Sequence, residues 1–157
     1  MLAAGGVTDG RGLAAALVLG ATGANVGTRF LASNEAGADV AWKQRILEIE
    51  SEDAVRFEAW SEILPASKGG YDVVPRVIRT DFVAEWERQR EEARRQADRL
   101  QEEIMAAIKQ GRPHELTPFT GQSAGLILDV LPAAEIVRAM VAEAEDALER
   151  AGVLRAG

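Results

Sequence analysis

Apolar residues recur along this chain in two rhythms, and the change of rhythm marks its organisation. Leu2-Ala3-Ala4 runs apolar into Gly5-Gly6, the pattern of a short strand ending in a turn, and Met1 opens directly onto it, as if a strand were entered midway. Thr8 or Asp9 then offers a short oxygen side chain to cap a helix whose apolar face is Leu13, Ala16 and Leu17, and Gly20 suits its left-handed stop. Ala24 to Thr28 reads as a second strand, so the first 28 residues spell strand, helix, strand, a unit that gives parallel and normally right-handed pairing. Ser33 or Asn34 opens a further helix, with Trp42, Ile46 and Ile49 at helical spacing and an end near Glu50.

The middle of the chain is less regular. Val55, Phe57 and Ala59 alternate as in a strand, but Pro65, Gly69, Gly70 and Pro75 punctuate the next twenty or so positions, and Asp53 to Thr80 reads mostly as loop. Asp81 then caps the clearest element, a helix running to about Gln110 with Trp86, Ala93, Ala97, Leu100, Ile104 and Ile108 along one side, ended by Gly111 and Pro113. Its other side is crowded with charges in pairs such as Glu91 with Arg95, which is a solvated face. A short apolar turn of helix comes next, from Gln122 to Val130, then a longer helix opened by Pro132 and stopped near Gly152.

Composition narrows the functions open to this pattern. Hydrophobic residues at 47% and charged residues at 27% describe a globular protein rather than a disordered one. A net charge of -7 repels phosphate backbones and anionic lipid, which argues against nucleic acid as a partner. The most apolar stretch, Leu13 to Leu19, is far shorter than the ~20 residues of a membrane helix and lacks a basic flank, so a cytoplasmic setting without membrane attachment is expected. The absence of cysteine removes disulfides, thiolate nucleophiles and thiolate metal ligands together.

The candidate chemistry lies in the glycines. Neighbouring parallel strands sit ~4.8 Å apart, so pairing of the first two strands would bring the Gly5-Gly6 turn and the Gly27-Thr28 turn out side by side on one edge. Glycine lets backbone amides approach an anion closely, and the amino end of a following helix adds partial positive charge, so a phosphate fits that edge. In a (β/α) barrel the loops after the last two strands commonly hold such a phosphate.

Four segments carry a resemblance to a known family: Ala3-Ala4-Gly5-Gly6-Val7; Ala14-Ala15-Ala16-Leu17 with Leu19-Gly20-Ala21; Val26-Gly27-Thr28-Arg29-Phe30-Leu31-Ala32; and Gly121-Gln122-Ser123-Ala124-Gly125-Leu126. Together they resemble nitronate monooxygenase, formerly called 2-nitropropane dioxygenase, over residues 1 to 50 and again from about 76 to 140. The resemblance implies an FMN-dependent TIM barrel that oxidises alkyl nitronates with molecular oxygen, with flavin-dependent enoyl-acyl-carrier-protein reductases among its relatives. Carried onto this sequence, it implies FMN phosphate contacts at Gly5, Gly6, Asn25, Val26, Gly27 and Thr28, with Asn25 standing where a glutamine is common. The family's catalytic histidine follows an earlier strand, so no catalytic residue is assigned, and His114 is expected to be a surface or capping residue.

The expected fold is therefore α/β: the last two strand-helix units of a (β/α)8 TIM barrel at residues 1–50, a connecting loop at 51–80 and a mainly helical subdomain at 81–157. A parallel pair without cover or neighbours invites association, so a homodimer or a missing amino-terminal barrel portion is the expected partner beside the nitronate substrate. Gln122 and Ser123 could reach the site if the carboxy-terminal helices fold back, but capping of a short helix by Ser123 or Thr120 is the favoured role. Arg76 and Arg79 are expected in an exposed basic loop, and Trp42, Trp60 and Trp86 in the core. An enoyl reductase, a helical interaction module using the Trp86 to Ile108 stripe, and an inactive remnant are the alternatives.

Overall fold

The first residues form the expected strand, helix and strand. A computed structural model, which describes residues 1–66, 70 and 73–153, has β1 at Leu2–Ala4, α1 at Gly10–Val18 and β2 at Gly23–Asn25. The strands pair in parallel, with Leu2 opposite Gly23 and Ala4 opposite Asn25. β2 is shorter than the sequence suggests because Gly27 already has helical backbone angles and Thr28 opens a short helix, α2 at Thr28–Leu31. Asp9 caps α1 by accepting from Gly12 N at 2.9 Å. At the other end Gly20 turns left-handed at φ +94°, which lets Ala21 N reach Ala16 O and Gly20 N reach Leu17 O, both at 3.0 Å.

The next helix, α3 at Val40–Glu48, starts later than Ser33 or Asn34 and is capped by Asp39. Ser33 is instead buried and bridged to Leu131, and Asn34 N donates to Leu131 O at 3.0 Å, so this stretch is spent on pairing with the distant chain. The region read as loop also contains more structure than expected. β3 at Ala54–Arg56 pairs antiparallel with β4 at Arg76–Ile78, and α4 lies between them at Trp60–Ile63. Gly69 of the expected connection, like residues 154–157 of the carboxy-terminal stretch, lies outside the described residues.

The long helix is three helices: α5 at Asp81–Arg88, α6 at Arg90–Arg95 and α7 at Ala97–Lys109. Its cap is Thr80 rather than Asp81, with Thr80 Oγ1 accepting from Val83 N at 3.1 Å and donating to Leu116 O at 2.7 Å. The breaks fall at Gln89 and Gln96, whose backbones leave helical values. Trp86, Ala93 and Leu100 recur every seven residues, and a straight helix drifts ~20° per heptad away from such a stripe. Breaking the helix keeps all three on the same core.

That core gathers Phe57, Ile63, Val77, Phe82, Trp86 and Leu100, with Trp60 against it. A second core holds Ala32, Ile46, Ile78, Ala124 and Ile127, with Trp42 alongside. Successive strand residues face opposite ways, so Val77 and Ile78 of β4 belong to different cores. The three tryptophans are thus packing residues, as expected. Along the stripe from Trp86 to Ile108, Trp86, Ala93, Leu100 and Ile104 are buried in this core, and only Ile108 at its end is exposed, so most of the stripe is core.

The last element, α8 at Ala133–Val153, begins after Pro132 as expected and lies across α1. Ile136, Met140 and Ala144 are its buried face. At Gly10 the two helices touch through backbone: a Cβ placed there would lie 2.3 Å from Glu143 Cβ and 2.5 Å from Met140 O. The architecture is helix-rich α/β, with a parallel pair at one side and an antiparallel pair between the cores.

Candidate functional site

Both glycine turns leave the same edge of the parallel pair and meet in one cleft. Gly5, Gly6, Val7, Asn25, Gly27 and Thr28 line it, joined by Gly121 and Ser123, around a volume of about 240 Å³. Gly5 and Gly6 have φ of +88° and +77°, consecutive left-handed values that side chains rarely adopt, and the space where their Cβ atoms would sit is open. The amides of Gly6 and Val7 have no hydrogen-bond partner among the described residues. Thr28 Oγ1 accepts from Gly121 N at 2.9 Å, so its own proton is left to donate elsewhere.

Of the residues singled out from sequence for the phosphate, Val26 is not among those that line the cleft. The helix end is also not as expected. Gly12 N is taken by Asp9 and Gly10 N by Glu143 Oε2 at 2.8 Å, so the amino end of α1 is already satisfied by carboxylates. Burial pushes the Asp9 carboxyl up, but the hydrogen bonds from Gly12 and Arg11 outweigh this and hold it below its ordinary value. An anion in the cleft would therefore be held by turn amides and hydroxyls, not by the α1 dipole.

Ser123 corrects another expectation. It lies in a 3-10 turn at Gln122–Leu126 whose cap position is Gly121, with no side-chain capping bond from Ser123 or Thr120. Its hydroxyl is free to face the cleft because capping is not its task. Arg76 belongs to β4, where it donates to Ala54 O at 2.8 Å, and Arg79 is exposed away from the cleft. His114 is only 17% exposed at its side chain and bonds Asp39, the α3 cap, at 2.8 Å, so it braces an element and is not a surface residue.

Against known proteins, residues 1–143 match the family described as nitronate monooxygenase. The chain belongs to the nitronate monooxygenase family. The nitronate monooxygenase npaC of Metarhizium robertsii is 34% identical over 144 residues, covering 88% of this chain and 39% of that protein. A probable nitronate monooxygenase of Staphylococcus saprophyticus is 49% identical over 55 residues, 35% of this chain and 16% of its own length. Among solved structures, FabK from Thermotoga maritima superposes with a TM-score of 0.79 at 30% identity over 98% of this chain and 46% of that one. A nitroalkane oxidase from Streptomyces ansochromogenes gives 0.74 at 26% identity, over 95% of this chain and 40% of its own.

This nitronate monooxygenase family member thus spans about two fifths of the npaC length. Val7, Gly121 and Ser123 line the cleft without having been assigned phosphate contacts from sequence, and Gln122, weighed beside Ser123, does not line it. Among the described residues no helix is long and apolar enough to cross a membrane.

Proposed function

We propose that this chain supplies the phosphate end of an FMN site in an oxidoreductase that oxidises alkyl nitronates with molecular oxygen. The observation that carries the reading is the convergence of three segments far apart in sequence, Gly5-Gly6, Gly27-Thr28 and Gly121-Ser123, on one cleft. The fit is chemical: consecutive left-handed glycines keep the rim free of side chains, two turn amides are unspent, and the hydroxyls of Thr28 and Ser123 can donate. A donor to a charged acceptor contributes ~1.5 to 3 kcal/mol, so a few such contacts give measurable affinity.

Within this reading Gly6 and Val7 donate backbone N–H groups to phosphate oxygens, Thr28 Oγ1 is oriented by Gly121 N, and Ser123 closes the cleft. The bound flavin would supply the redox chemistry. These residues bind and orient; none is assigned a proton transfer. The flavin ring and the nitronate would lie with further strand-helix units of a (β/α)8 barrel, of which residues 1–50 form the last two, the stretch 51–80 a connection and 81–157 a helical subdomain. Exposure of Met1, Leu2, Val18 and Leu19 in β1 and at the end of α1 supports such neighbours, and a homodimer would be the other way to cover them. A cytoplasmic setting accompanies this reading.

The test of the site is a 1H–15N spectrum of the chain titrated with FMN. Amide peaks of Gly5, Gly6 and Thr28 should shift, and Gly6→Ala should weaken binding by about tenfold; no shift at these residues would end the reading. For activity, oxygen uptake with an alkyl nitronate by the chain joined to its barrel partner is expected. NADH oxidation with an enoyl thioester instead would move the chain to the enoyl reductases.

A further inference from the structure

Next to the cleft lies a buried charge that the phosphate reading leaves unused. Arg29 is 8% exposed. Its Nη1 donates to Asp129 O at 2.9 Å and its Nη2 to Asp129 Oδ1 at 2.6 Å. It does not line the cleft but a separate cavity of about 200 Å³, shared with Thr8, Asp9, Met140 and Glu143. The guanidinium is therefore committed to residue 129 and is not a phosphate ligand.

Its place in the chain gives it another task. Thr28 holds Gly121 and Arg29 holds Asp129, so two consecutive residues of α2 grip both ends of the segment 121–129. That segment carries Ser123 into the cleft. Removing an arginine from water costs several kcal/mol unless its geometry is well satisfied, and a fork that takes both the carbonyl and the carboxylate of one residue provides that geometry. Asp129 is itself half exposed, so it could turn to solvent were it not held.

We propose that Arg29 and Asp129 are positioning residues that set the third wall of the phosphate cleft, an inference that rests on the phosphate reading above. Arg29 acts through the segment it fixes, not by touching the ligand. Lysine cannot replace it, because an ammonium lacks the planar fork that spans the Asp129 carbonyl and carboxylate together.

The ratio of FMN to riboflavin affinity isolates the phosphate contribution, and it can be measured by flavin fluorescence on the chain joined to its barrel partner. Wild type should prefer FMN. Arg29→Lys and Asp129→Asn should each lower that preference by about tenfold, leave riboflavin affinity unchanged, and together cost no more than either alone, since they act as one unit. Asp129→Asn changes a half-exposed carboxylate and so guards against mere unfolding. Variants that lower the melting temperature yet keep the FMN preference would overturn the clasp as a positioning device. A Thr28→Val variant that loses the preference while Arg29→Lys keeps it would leave the phosphate reading standing and the clasp refuted. A wild type with no preference for FMN would refute both.

Discussion

The parallel pair with α1 and the half built on β3, β4 and α4 to α7 are unlike in how they close. In the second half, Phe57, Ile63, Val77, Leu100 and Ile104 are all essentially inaccessible to solvent, and their core is walled by its own helices. In the first half, β1 has one neighbour among the described residues, and Met1, Leu2, Val18 and Leu19 stand in solvent. The candidate site sits on the open half, on backbone turns, and only its third wall comes from elsewhere. Ala124 and Ile127 of that third wall belong to the second core, so a packed layer holds one lip of a cleft whose other lip is a sheet with a single pair of strands among the described residues.

The strongest way to break this contrast is Leu100→Ala. Truncation of a fully buried leucine should cost ~2 to 5 kcal/mol, read as a lower urea midpoint. Amide exchange should accelerate in α5 to α7, while β1 and β2 amides, which open locally, keep their rates. A uniform acceleration would show that the halves are not energetically distinct.

Gly10→Ala attacks the opposite side. The new methyl meets Glu143 and the α8 backbone, so α1 and α8 must separate, at ~1 to 3 kcal/mol for overpacking. Here exchange should speed up in α1 and β1 and leave α7 untouched; an unchanged melting curve would mean that α8 is free to slide.

The smallest effect sharpens the comparison through pH. The Asp9 carboxyl is held below its ordinary value in the folded chain, so its contribution is fully present above the unfolded value near 3.8 and is lost as pH falls through the folded one. Thermal melts of wild type and Asp9→Asn should therefore differ only slightly at neutral pH, because Arg11 of the pair is solvent-exposed and screened. They should converge in acid. A gap that widens below pH 3.8 contradicts this sign.

Much of the open half was legible because its signals are local. Gly5-Gly6 reads as a turn, Thr8 or Asp9 as a cap and Gly20 as a left-handed stop from their own chemistry; the turn and the stop have those roles and Asp9 is the cap. The closed half was harder to read. β3 and β4 pair across the punctuated region, so although Val55 and Phe57 alternate as in a strand, nothing local announces the partner. Thr80 and Asp81 are both good caps, and only the bond of Thr80 to Leu116 O decides between them. The breaks at Gln89 and Gln96 follow from where the core lies, which no local pattern contains. At the site, the glycine turns were visible but the Thr28 to Gly121 and Arg29 to Asp129 contacts were not, since each joins residues far apart in sequence.

That separation bears on when the cleft comes into being. Its third wall ties residues 93 apart and its brace ties residues 100 apart. Chain closure of this length must be met before the contact rewards it, so such contacts form after local ones. On a ribosome, which releases the amino terminus first, Gly5 and Thr28 emerge long before Gly121 and Asp129. The chain can make its turns early, but its candidate cleft is complete only when the segment 121–129 has been synthesised and has folded back.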